Sequence, residues 1–72
     1  MYLLIDILIL PERRKMRIER EEMRLNEILK LLDIDEFNSV AVLVNNKLVN
    51  DENYLVKKGD KVVLIKQATG GL

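Results

Sequence analysis

The sequence contains no cysteine, no histidine and no tryptophan, and its only aromatic residues are Tyr2, Phe37 and Tyr54. Each absence excludes a class of chemistry. Without Cys or His there is no thiol nucleophile, no imidazole base, no zinc ligand set and no iron–sulfur ligation. Ser39 and Thr69 are the only hydroxyl residues apart from the tyrosines, so a serine-type triad cannot be assembled. No catalytic residue and no metal ligand are therefore assigned, and a self-sufficient enzyme is not expected. Charge of one sign is also lacking: 12 Lys+Arg stand against 12 Asp+Glu. A neutral chain argues against nonspecific nucleic-acid binding, which runs on excess Lys and Arg. No apolar run is long enough to cross a bilayer. Met1 to Leu10 lacks the basic flank of a signal peptide, Asp6 interrupts it, and charged residues follow in place of a cleavage site. The expectation is a cytoplasmic protein with no membrane or nucleic-acid partner, a monomer when free. The lack of cysteine fits a reducing compartment.

What is present is a 72-residue chain, 49% hydrophobic and 33% charged, which bounds one small globular domain with an aliphatic core. A chain of this size buries only about 60% of its extended surface. With no disulfide as a staple, such a core supplies roughly 3–5 kcal/mol.

Residues 2–10 are apolar, rich in isoleucine and too short for a comfortable helix, so they predict a strand. Alternation puts Leu3, Ile5, Ile7 and Ile9 on one face and Tyr2, Leu4, Asp6, Leu8 and Leu10 on the other. Pro11 ends the run. Residues 14–20 predict a half-buried hairpin partner, with Met16 and Ile18 facing one way. Between Glu21 and Asp33 the period changes: Leu25, Ile28, Leu29 and Leu32 draw one stripe on a helix, and Glu21 and Glu22 fall where they favour its dipole. A loop anchored by Ile34 and Phe37 follows. Ser39 to Asn45 predicts a third strand, Asn45-Asn46 a tight turn, and residues 47–50 a short strand. Residues 51–58 read as polar loop, with a turn signal at Lys58-Gly59-Asp60. Asp60 to Gln67 predicts the last strand, with Val62 and Leu64 on one face and Val63 and Ile65 on the other. The order is β-β-α-β-β-β. Two strands apolar on both faces, the first and the last, belong side by side and parallel in the middle of a mixed sheet, with the helix on one face. This is an α+β, ubiquitin-like β-grasp, occupying residues 1–67 and followed by a flexible tail, residues 68–72.

The tail carries Thr69, Gly70 and Gly71. With the helix stripe Leu25-x-x-Ile28-Leu29-x-x-Leu32, the segment Val40 to Asn46 and the Gly59-Asp60 turn, it makes the whole chain resemble the ThiS/MoaD family of ubiquitin-like sulfur carriers. The resemblance implies a protein co-substrate, with no bound cofactor. An activating enzyme adenylates the C-terminal glycine carboxylate, here Gly71, using ATP and magnesium. A sulfurtransferase step converts the acyl-adenylate to a thiocarboxylate. A sulfur-acceptor synthase then consumes it, in thiamine, molybdopterin or tRNA thiolation pathways. Gly70 and Gly71 suit a narrow active-site channel because they have no side chain and wide backbone freedom. Two alternatives stand beside the carrier: a ubiquitin-like modifier joined to target lysines, and an interaction module whose tail is inert.

Three surface features carry further expectations. If the isoleucine face meets the helix, Leu4, Leu8, Val63 and Ile65 line an exposed apolar patch, read either as scattered surface aliphatics or as a docking face. Glu12 to Arg24 has ten charged residues in thirteen, but the signs interleave and no aromatic accompanies them, so a solvated face is preferred to an RNA contact. The acidic residues Asp33, Asp35, Glu36, Asp51, Glu52 and Asp60 lack EF-hand spacing and also read as solvated.

Members of the family end at the glycine, whereas Leu72 follows Gly71 here. Leu72 is accounted for as an appended residue, as a native residue trimmed by a protease, or as a sign that activation is lost. Intact-mass measurement of the natively expressed protein separates these. The carrier reading predicts a chain ending at Gly71 and a sulfur-for-oxygen mass shift. A retained Leu72 with no thiocarboxylate species would remove it.

Overall fold

A computed structural model describes residues 4–67. Seven strands, one α-helix and one 3₁₀ turn follow in chain order: β1 (Ile5–Leu10), β2 (Arg14–Ile18), β3 (Glu22–Arg24), α1 (Leu25–Leu31), the 3₁₀ turn (Phe37–Ser39), β4 (Val40–Val44), β5 (Lys47–Val49), β6 (Leu55–Lys57) and β7 (Lys61–Lys66). Five strands form one sheet in the order β2-β1-β7-β4-β5, and β3 pairs with β6 in a small second sheet. The first and last strands are adjacent and parallel at the centre, with Ile7 opposite Val62 and Ile9 opposite Leu64. Every other pairing is antiparallel. The fold is a β-grasp.

The alternation read from the sequence holds strand by strand. Ile5, Ile7 and Ile9 are buried with Val62, Leu64, Val40, Val42 and Val44, and α1 closes over them with Leu25, Ile28 and Leu29. Met16, Ile18, Leu32, Ile34 and Phe37 pack at the margin of this core. Every buried side chain among the described residues is apolar. Leu3 and Tyr2 lie outside the described residues.

Two corrections concern β3 and β6. Glu21 and Glu22 do not begin the helix, which starts at Leu25. Glu22 to Arg24 is extended instead, placing Met23 in the core opposite Val56. The first helical amides explain the late start: Leu25 N–H donates to the Tyr54 carbonyl (3.0 Å) and Asn26 N–H to that of Glu52 (2.9 Å). The approaching segment thus satisfies donors that every helix start leaves open. The Glu27 carboxylate also accepts from Arg24 N–H (2.9 Å). Residues 51–58 are correspondingly not all loop, because Leu55–Lys57 is β6 and Val56 is completely buried. The helix ends in a Schellman arrangement. Asp33, at φ 57°, donates to the Lys30 carbonyl, and Ile34 N–H reaches back to Leu29 (2.9 Å).

The turns follow the residues that tolerate them. Asn45 and Asn46 both take positive φ, 51° and 70°, as a two-residue hairpin turn demands. Gly59 sits at φ 91° between β6 and β7. These two turns are tied together. Asn45 Nδ2 donates to Asp60 Oδ1 (3.0 Å), Lys61 N–H donates to Asn45 Oδ1 (3.0 Å), and Lys57 N–H donates to Asp60 Oδ2 (2.9 Å). Asp60 thus acts as a side-chain brace, a structural use of one residue in the acidic set.

Leu64 is fully buried on the central strand. Leu64→Ala is expected to cost about 2–5 kcal/mol, comparable to the whole stability of so small a domain. Urea unfolding measures it, and a loss below about 1 kcal/mol would contradict the central placement of β7.

Candidate functional site

Because the β1 isoleucines face α1, the opposite side of the large sheet stays uncovered, and register fixes what it displays. Leu8 lies opposite Val63, Val63 opposite Leu43, and Leu43 opposite Leu48, so one apolar row crosses four strands. A second row, Leu10, Ile65 and Ala41, lies one step nearer the end of β7. Leu8, Leu10, Ala41, Leu43, Val63 and Ile65 are half-buried by their neighbours, whereas Leu48 is 62% exposed.

Of the four residues expected in a patch, the structure brings Leu8, Val63 and Ile65 together on this face. Leu4 precedes β1, and Asp6 separates it from Leu8 along the same side. Leu43, Ala41 and Leu48 were missed. Their signal was available: Val40, Val42 and Val44 point inward, so the intervening residues of β4 must point outward. Only the pairing of Leu48 with Leu43 required the register.

Charge collects where β1, β2 and β7 meet on this face. A cleft of about 280 Å³ is lined by Asp6, Leu8, Lys15, Arg17 and Lys61, together with backbone neighbours. Asp6 and Arg17 form an ion pair (3.2 Å), both well exposed. Lys15 and Lys61 have no ion pair among the described residues. Of the charged residues in the interleaved run Glu12 to Arg24, Lys15 and Arg17 line this cleft.

The described chain ends at Gln67, one residue past the central strand β7. There, Gln67 N–H donates to the Ser39 carbonyl (3.2 Å), and Lys66 Nζ pairs with Glu12 (2.9 Å). Thr69, Gly70 and Gly71 lie outside the described residues. Among the described residues no group of carboxylates is arranged to hold a metal ion, and no helix is long and apolar enough to cross a membrane.

This combination, a β-grasp body with a Gly70-Gly71 pair in the sequence after its central strand, defines a ubiquitin-like protein. The sequence model of the ThiS family matches residues 8–71, and the chain belongs to that family, whose members are small sulfur-carrier proteins, generally non-catalytic. In structure the chain is similar to a chain of the complex between subunits 1 and 2 of molybdopterin-converting factor from Helicobacter pylori 26695. The TM-score is 0.68 at 20% identity, covering 96% of this chain and 100% of that one. In sequence it is also similar to a segment of tyrosine–tRNA ligases: 37% identical over 54 residues to that of Ureaplasma urealyticum serovar 10, and 32% to that of Ureaplasma parvum serovar 3. These matches take in 64% of this chain but only 13% of each ligase.

Leu48 is mostly solvated, so Leu48→Ser is expected to change stability by less than about 0.5 kcal/mol. Val63→Ser, at a half-buried central position, is expected to cost more. Parallel urea titrations check the order, and a reversed order would contradict the greater burial of Val63.

Proposed function

We propose that this protein is a sulfur carrier that works in the cytoplasm as a co-substrate of an activating enzyme. Gly71 is the residue adenylated and converted to a thiocarboxylate; Gly70 and Gly71 have no side chain to obstruct a narrow active-site channel, and Thr69 precedes them. The observation that carries the reading is membership of the ThiS family through residue 71, in a chain whose last strand lies at the centre of a β-grasp sheet. The chemistry asks little of the carrier's side chains. A carboxylate is a poor electrophile until adenylate is attached. The partner supplies ATP and magnesium, and sulfur displaces AMP at the glycine carbonyl. Leu8, Val63 and Ile65, extended by Leu43 and Leu48, form the docking face that holds the carrier while its tail is in the partner's active site. A sulfurtransferase and a sulfur-acceptor synthase complete the cycle, and the structural likeness to a molybdopterin-converting factor chain supports a protein acceptor of that kind.

A second reading rests on the likeness to tyrosine–tRNA ligases: the body contacts RNA, with Lys15, Arg17 and Lys61 as phosphate ligands.

The test is incubation of a chain ending at Gly71 with the cognate activating enzyme, ATP, magnesium and a sulfur donor. The carrier reading expects pyrophosphate release and a thiocarboxylate by mass spectrometry, both lost in Gly71→Ala or on deletion of Gly70-Gly71. Lysine conjugates in place of the thiocarboxylate identify a modifier. Full function without the tail identifies an inert-tailed interaction module.

A further inference from the structure

The open face is uneven in charge, and this unevenness specifies what its partner must offer. The apolar rows run from β1 to β5 and reach the end of β7, where the tail departs. The cationic cleft lies at the other end of the central strands, where Asp6 is opposite Lys61 on one side and Arg17 on the other. Three cations meet one carboxylate there, and that carboxylate already pairs with Arg17. Lys15 and Lys61 are left uncompensated beside the apolar side chain of Leu8.

We infer that Lys15, Arg17 and Lys61 form an acceptor cleft for carboxylate side chains of the protein that docks on the open face. The docking surface of that partner is therefore an apolar patch with acidic residues on one flank. The inference rests on the docking reading above and deepens it. Apolar contact alone would let a nearly flat face slide or rotate. A cationic cleft at one end fixes the orientation, because like or absent charge opposite it leaves Lys15 and Lys61 without partners. The geometry also sets a spacing. From Lys61 to Lys66 the strand advances five residues, about 17 Å at 3.3 Å per residue. The partner's acidic flank must therefore lie roughly that far from the mouth that receives the tail. At physiological ionic strength the screening length is about 8 Å, so the cleft does not act on the tail itself. It acts on how the body is seated.

The experiment measures association of the full chain with the cognate activating enzyme, without ATP, by stopped-flow fluorescence at low and high salt. The variants are Lys15→Glu/Lys61→Glu, the milder Lys15→Gln/Lys61→Gln, and Lys30→Glu/Lys47→Glu as a control of equal net charge away from the cleft. The inference expects the cleft reversal to slow association at least about tenfold at low salt and the glutamine pair to fall between, with the difference shrinking at high salt. The control should move far less. Loss of affinity equal in the cleft and control variants, or no loss in either, overturns the inference. So does failure of the wild-type chain to bind the enzyme. So does binding of a tRNA probe that needs Lys15 and Lys61 while enzyme binding does not. Binding that depends on the cleft, with no pyrophosphate released once ATP is added, keeps the docking surface and overturns the carrier reading instead.

Discussion

β1 and β7 lie side by side and parallel, with Ile7 meeting Val62 across 55 positions of sequence, and antiparallel strands cover both of their outer edges. Parallel pairing requires a long crossover, and here everything from β2 to β6 serves as that crossover. The helix lies within it and must fall on one side of the sheet, so one face becomes core and the other stays open. The same pairing sets β7 in the middle, and the chain after it leaves from the centre of the body. The open face and the central position of the end of β7 are therefore consequences of one contact. Any change that loosened β1 from β7 would move both.

Much of this was legible because the strands declare their faces. Ile5, Ile7 and Ile9 alternate with Asp6 and Leu8, and Val62 and Leu64 alternate with Val63 and Ile65, so the inner and outer sets follow from a period of two. The parallel central pair followed from both strands being apolar on both sides. What did not follow was β3 with β6. Three-residue strands show no period, and Glu21 and Glu22 look like the acidic first turn of a helix. The evidence against that placement is long-range: Leu25 and Asn26 donate to carbonyls of Tyr54 and Glu52, nearly thirty residues on. Local propensity cannot see such partners, so the helix looked four residues longer at its start.

The site divides the same way. Leu8, Val63 and Ile65 could be placed from alternation alone, since each sits on a strand of known facing. Leu4 could not, because it precedes the strand and lies beyond the Asp6–Arg17 pair. Leu48 and the cleft needed the register, which brings Lys61 beside Asp6 and Lys15 beside Leu8 from three separate segments. In the sequence Lys15 and Arg17 are two charges among ten in thirteen residues. Their meaning changes only when strand alternation separates them from Arg14 and joins them to a lysine some forty-five positions away.

The distribution of polarity bears on how such a body can be recognised. Among the described residues every buried side chain is apolar and no buried polar side-chain atom lacks a partner. Strong electrostatic preorganisation needs charges and dipoles held away from water. The described body holds its charges at the surface, where an isolated ion pair is worth no more than about 1 kcal/mol. What the open face offers is area and arrangement: two apolar rows across its strands, and cations at one end. Desolvation by a partner is what would strengthen those cations, since a charge on an open face gains most when apposed carboxylates exclude water from it. A surface built this way is weakly committed when free and selective once covered. Such a surface gains its selectivity from the partner that covers it rather than from order already built into the free body.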